Sequence, residues 1–148
     1  MEYNALLRKL PIGIQTFEKL RKENYLYVDK TELIWKMAFA SNPYFLSRPR
    51  RFGKSLLLST FEAYFEGKKE LFEGLAIEKM ETEWKKYPVL HLDLNAKKYE
   101  TPADLIAMLN QTLEKWEIVY GNEKKDRSPE ERFAYVIERA YEQAGCGV

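Results

Sequence analysis

The residues best placed to do chemistry are Gly53, Lys54 and Ser55. They close the run Arg48-Pro49-Arg50-Arg51-Phe52-Gly53-Lys54-Ser55. This run follows the phosphate-binding pattern G-x-x-x-x-G-K-[ST] at its last three fixed positions and carries Arg48 in place of the first glycine. Gly53 admits backbone torsions closed to residues with a side chain, so successive N–H groups can turn inward. Those groups, with the start of the following helix at Lys54, Ser55 and Leu56, make a positive cradle for phosphate. Lys54 brings a mobile ammonium to the β- and γ-phosphates. The Ser55 hydroxyl is a ligand for Mg²⁺, an ion that prefers oxygen and keeps several waters. Arg50 and Arg51 can grip phosphate oxygens in a bidentate fork, Arg51 being nearer Gly53; a solvated charge run is the plainer alternative. The expected ligands of ATP are Arg50, Arg51, Phe52, Gly53, Lys54, Ser55 and Leu56, with Ser55 on Mg²⁺.

Gly-Lys-Ser/Thr alone arises by chance in roughly one chain in fifteen of this length, so the context carries the argument. The apolar run Tyr44-Phe45-Leu46-Ser47 stands immediately before, and an apolar-faced helix begins at the lysine. The competing reading is a tight turn at a helix start with Lys54 solvated. Asp93 is a weak catalytic candidate, an acid near the end of an apolar run that could hold a Mg²⁺-bound water; capping the next turn is the simpler role. His91 is expected to be a hydrogen-bonded core histidine. Trp35, Trp84 and Trp116 read as core anchors. Tyr25 and Tyr27 could stack on a base, although core packing explains them as well.

The elements that must position these residues alternate in type. Tyr25-Leu26-Tyr27-Val28 is β-prone. Asp29-Lys30-Thr31-Glu32 reads as a helix start, with Asp29 or Thr31 as cap, and that helix fades by Ser41-Asn42-Pro43. Residues 44–47 suggest a short strand between prolines 43 and 49. Lys54 to Phe65 suggests a helix ended by Gly67. Residues 68–87 suggest short helical turns that bury Leu71, Phe72, Leu75 and Ile77. Residues 88–94 alternate as a second strand. Thr101-Pro102 and Ser128-Pro129 open two further helices, the second with a full capping box and a stripe of Phe133, Val136, Ile137, Ala140, Tyr141 and Ala144. This order predicts an α/β fold with parallel strands joined by helical crossovers.

Composition fits an ordinary globular domain, with 45% apolar and 32% charged residues among 148. A net charge of +1 gives no global pull toward nucleic acid or an anionic membrane. One cysteine, Cys146, is consistent with a reducing compartment. No secretory leader is expected, because Met1-Glu2-Tyr3-Asn4 carries an early acid and no long apolar core follows. No run approaches about 18 apolar residues. A cytoplasmic protein without membrane contact is the expectation.

Tyr27-Val28-Asp29-Lys30-Thr31, together with the run from Tyr44 to Ser55, resembles the AAA-ATPase-like domain at the N-terminus of many bacterial proteins. The likeness continues through Tyr64-Phe65-Glu66-Gly67, Leu71-Phe72-Glu73-Gly74-Leu75 and Tyr87-Pro88-Val89-Leu90-His91-Leu92-Asp93-Leu94. The Arg-Arg-x-Gly-Lys-Ser pattern also looks like prokaryotic signal-transducing ATPases. The resemblance implies an ATPase core of the three-layer P-loop type, present in part. Residues 1–43 would form an N-terminal extension and lead-in helix, and 44–148 a partial nucleotide-binding core. It further implies a degenerate Walker A loop in which Arg48 is part of the pattern, and a C-terminal domain resembling PD-(D/E)XK nucleases. The acidic Walker B strand is expected beyond Val148, so the chain is expected to bind nucleotide and to hydrolyse it very slowly. Nucleic acid would be met only through that missing region, and exposed strand edges make self-association plausible. A scaffold domain that keeps the loop's shape, and a small-molecule kinase, are the competing classes.

Overall fold

A computed structural model describes residues 8–40, 42–95 and 98–148. Met1 to Asn4 and Ser41, used in the sequence argument, lie outside the described residues. The chain divides between Lys86 and Tyr87 into two compact units.

The first unit is helical. α1 covers Phe17–Lys22, α2 Thr31–Ala40 and α3 Lys54–Phe65, and two 3₁₀ turns follow at Lys69–Phe72 and Ala76–Lys79. Its core joins Phe17, Ile34, Ala63, Leu71, Phe72, Leu75 and Ile77. Phe72 is fully buried, with ring centroids 4.8 Å from Phe17, 5.1 Å from Trp84 and 6.4 Å from Tyr64. The short turns predicted over residues 68–87 therefore supply the centre of the core. Trp35 and Trp84 pack against it as anchors, and Tyr27 meets Phe17 edge-on at 5.3 Å, which favours packing over base stacking for that tyrosine. Gly67 ends α3 with φ 68°; a Cβ there would stand 2.9 Å from the Trp84 carbonyl oxygen, so both torsion and space demand glycine.

Polar contacts fix the turns to the helices. The Asp29 carboxylate accepts the Thr31 N–H at 2.8 Å and the Thr31 hydroxyl at 2.7 Å, and its other oxygen accepts the Ala76 N–H at 2.7 Å. The buried Thr31 hydroxyl in turn accepts the Ile77 N–H at 3.1 Å. Desolvation pushes the Asp29 carboxyl up, but the bonds from Thr31 and Ala76 outweigh it and hold the group below its ordinary value. Asp29 is thus the cap of α2, while Glu32 pairs with Lys36 instead of completing a box. Arg21 ties α1 to the first 3₁₀ turn through the carbonyls of Leu71 at 2.7 Å and Glu73 at 2.5 Å.

The second unit holds α4, Pro102–Tyr120, and α5, Pro129–Ala144, each opened by a capping box and a proline. Arg132 and Glu117 form a buried bidentate pair, both N–H···O distances being 2.7 Å, and Arg132 also donates to the Asn110 side-chain oxygen at 2.8 Å. The buried line of α5 is therefore Arg132, Val136 and Ala140. The predicted stripe is rotated: Tyr141 is 57% exposed and Phe133 and Ile137 are about 40% exposed. An arginine can occupy the inner face because Glu117 neutralises it there.

The expected α/β three-layer core is overturned. Helix accounts for 51% of the structure and no β-strand occurs among the described residues. Residues 44–47 are all exposed, Phe45 at 94%, and residues 88–94 are irregular. Residues 25–28 contribute one isolated parallel bridge, Lys9 to Tyr25. β-propensity marks a segment that can pair, but the hydrogen bonds of a strand belong to its neighbour. Among the described residues these runs form no strand ladder.

Two stability measurements check this packing. Thr31→Val should destabilise the first unit by about 1–3 kcal/mol in urea titration, because it leaves the buried Ile77 N–H unsatisfied; an unchanged midpoint would contradict the assigned bond. Arg132→Met alone should cost about 3–5 kcal/mol at pH 7 by stranding Glu117, whereas Arg132→Met with Glu117→Leu should be near neutral. Arg132 holds the Glu117 carboxyl below its ordinary value. The pair's contribution should therefore be complete above about pH 5 and fall away as pH drops through the folded carboxyl's lowered pKa, a loss the double variant should not show.

Candidate functional site

The local sequence dictates a turn ahead of α3. Gly53 adopts φ 74° and ψ 17° in the left-handed region, and no side chain caps the helix. A Cβ at position 53 would meet no heavy atom within 4 Å, so the demand for glycine is conformational alone. Arg51 also has a positive φ of 65°, so the backbone visits the left-handed region twice within three residues. The first amides of an α-helix, here those of Lys54, Ser55 and Leu56, have no acceptor within the helix. The Gly53 carbonyl takes the Leu57 N–H at 2.9 Å and begins the ladder. Lys54 Nζ donates to the Arg48 carbonyl at 2.8 Å, so the lysine closes the loop it ends.

A cleft of about 590 Å³ lies against this turn. Arg51, Gly53, Lys54, Ser55 and Leu56 line one side. Five of the seven expected nucleotide ligands are thus brought together, while Arg50 and Phe52 are exposed and outside the lining. The rest of the lining comes from a segment outside the motif: Pro11, Gly13, Ile14 and Gln15. The signal available was the Pro-x-Gly turn signature in Leu10-Pro11-Ile12-Gly13.

Ser59, one turn beyond Ser55, couples the two sides. Its hydroxyl accepts the Phe17 N–H at 2.9 Å and faces the carbonyls of Leu56 at 2.9 Å and Gln15 at 3.4 Å. The chain entering α1 is therefore pinned to the first turns of α3.

Within the second unit, Asp93 accepts the Asn95 N–H at 2.8 Å in a local turn, the simpler of its two expected roles. His91 is exposed, which corrects its reading as a core residue. Cys146 is buried. An apolar groove of about 240 Å³ is lined by Leu92, Leu109, Leu113, Trp116 and Phe133, the last two rings 5.7 Å apart. Among the described residues no helix is long and apolar enough to cross a membrane.

Comparison with known proteins places these features in a family. A family model described as "Predicted AAA-ATPase" matches residues 11–148. The chain is also 37% identical over 139 residues to an "Uncharacterized protein in vnfD 5'region" of Azotobacter chroococcum mcd 1. That alignment covers 93% of this chain and 27% of the relative, so the chain spans about a quarter of the relative's length. No solved structure matches significantly. With nearly its whole length matched, from the Pro11 turn through α5, the chain belongs to the AAA-ATPase-like family.

Proposed function

We propose that residues 48–55 are a degenerate Walker A loop that binds the phosphates of ATP or a related nucleoside triphosphate. On this reading the chain is the N-terminal part of an AAA-ATPase-like domain, with lead-in residues 1–43 and a nucleotide-binding part over 44–148. One observation carries the reading: a left-handed Gly53 directly precedes an uncapped helix whose first residues face a cleft of about 590 Å³. Ligand clefts commonly measure about 300–1,000 Å³. An anion at this position meets free amides and the positive end of α3. Lys54 can exchange the Arg48 carbonyl for a phosphate oxygen, a stronger charge-assisted bond. Arg51 adds a second cation on the same side.

The donor set also fits Mg²⁺ held chiefly by the nucleotide. Among the described residues no cluster of three or more His, Cys, Asp or Glu side chains could hold a metal. Mg²⁺ bound through phosphate oxygens, water and one hydroxyl needs no such cluster, and Ser55, which lines the cleft, would supply the hydroxyl. The ion would neutralise phosphate charge. In the longer protein implied by the relative's size, ATP hydrolysis would drive a conformational change, in the cytoplasm and without membrane contact. Contacts with nucleic acid would come from parts outside this chain, and self-association is compatible with the exposed apolar residues 44–46. A second reading, an interaction domain that keeps the loop's shape, draws on the apolar groove of the second unit.

Titration with a fluorescent ATP analogue and Mg²⁺ separates the two. Saturable binding is expected, weakened roughly 10- to 100-fold by Lys54→Ala, the equivalent of one charged hydrogen bond. Equal and negligible binding by both proteins would favour the interaction domain. Gly53→Ala tests the turn itself: it should lower thermal stability by about 1–2 kcal/mol through left-handed strain. At a position with ordinary torsions the same change would stabilise by up to about 1 kcal/mol, so the sign of the effect decides.

A further inference from the structure

We infer that the buried Arg132–Glu117 pair is a rotational lock: it sets the turn of α5 against α4 and so keeps the apolar stripe of Phe133, Ile137 and Tyr141 facing outward. α5 carries two lines of side chains that compete for α4. Arg132, Val136 and Ala140 form the line that is buried. Phe133, Ile137 and Tyr141 lie one residue further on, about 100° round the helix, and all three are exposed. The outer line is the larger apolar surface, two rings and an isoleucine against a valine, an alanine and an arginine. Burial of apolar area alone would turn the helix toward it. A rotation of less than one residue step would bring Phe133 and Ile137 onto α4 and leave Val136 and Ala140 still in the interface. The observed rotation therefore needs a contact that area does not supply.

The guanidinium supplies it. Nε and Nη2 of Arg132 each donate to a Glu117 oxygen at 2.7 Å, and Nη1 donates to the Asn110 side-chain oxygen at 2.8 Å. Asn110 and Glu117 both belong to α4 and stand seven residues apart, about two turns on one face. One planar fork thus grips two side chains of α4 and fixes α5 both around and along its neighbour. Arg132 and Glu117 are buried, so neither can exchange its partner for water. A rotation that carried Arg132 away would strand the Glu117 carboxylate in the interface, and an unpaired buried charge costs more than the half-exposed stripe returns. The apolar groove is a consequence of the lock. Phe133 stands beside Trp116, ring centroids 5.7 Å apart, and with Leu109 and Leu113 they border about 240 Å³ of space. Turning α5 toward its stripe would carry Phe133 into that space and close it.

Cysteine labelling reads the rotation. Ile137→Cys and Glu138→Cys are introduced singly into the intact chain and into the same chain carrying Arg132→Met with Glu117→Leu. Alkylation by iodoacetamide is followed by peptide mass, which separates each introduced thiol from Cys146. With the pair intact both thiols should label readily, since both positions are exposed. In the double variant Ile137→Cys should label roughly tenfold more slowly, because a buried thiol reacts only when its surroundings open, while Glu138→Cys on the outer face stays within about twofold. Equal rates for Ile137→Cys with and without the pair overturn the lock, and so does equal slowing at both positions. Circular dichroism accompanies each measurement. A double variant that has lost its helix also overturns the lock, because the rival rotation must be a packed one.

Discussion

A single hydroxyl, that of Ser59, joins the two segments that line the cleft. The N–H at the start of α1 reaches it from 42 residues away in sequence, and the hydroxyl sits on α3 one turn past Ser55. The same helix runs on into the core, where Ala63 is buried and Phe61 and Tyr64 pack against it. α3 therefore acts as a rigid strut. Its far end is fixed by aromatic packing around Phe72, its near end presents free amides, and Ser59 between them fixes the opposing turn. Nothing in the loop itself could enforce this, because residues 48–55 are exposed and contribute no buried side chain. Precision at an exposed site must be borrowed from the element behind it.

The electrostatics of the cleft follow from that borrowed rigidity. With a net charge of only +1, the protein as a whole does not attract anions, so attraction has to be local. The positive end of α3 is uncapped, and Lys54 rests on a main-chain carbonyl, not on a carboxylate. The distinction matters energetically. An ion pair would have to be broken for a phosphate to enter, whereas a carbonyl yields a weaker bond in exchange for a stronger one. The loop is therefore preset toward anions without a competing internal anion on the lysine.

How much of this was legible in the sequence depended on whether the signal was local. α3, α4 and α5 begin and end where Gly53, Thr101-Pro102, Ser128-Pro129 and Gly145 said they would, because caps and left-handed glycines act within a few residues. The core role of Leu71, Phe72 and Ile77 was also visible in the apolar spacing of residues 71–77. What failed was non-local. Residues 44–47 and 88–94 have strand propensity but form no strand among the described residues, and propensity is silent on partners. The buried place of Arg132 had no local signal, because its partner, Glu117, is 15 positions away on another helix. α1 escaped notice because its Thr16 makes no capping bond and its six residues are too few to show a period. The Gly53-Lys54-Ser55 lining of the cleft stood out through a motif, while the lining at residues 11–15 had only a turn signature to announce it.

That asymmetry has a physical origin. A phosphate loop must satisfy one demanding geometry, amides converging on a compact anion, and only a few residue types achieve it; hence a readable spacing. The lining at residues 11–15 meets no such demand, so its position is defined by the bonds that hold it and not by its own letters. In this chain the Leu26 N–H donates to the Lys9 carbonyl, and the Phe17 N–H donates to the Ser59 hydroxyl on α3. Affinity for phosphate would then come from charge and helix dipole at the motif, and would weaken with salt.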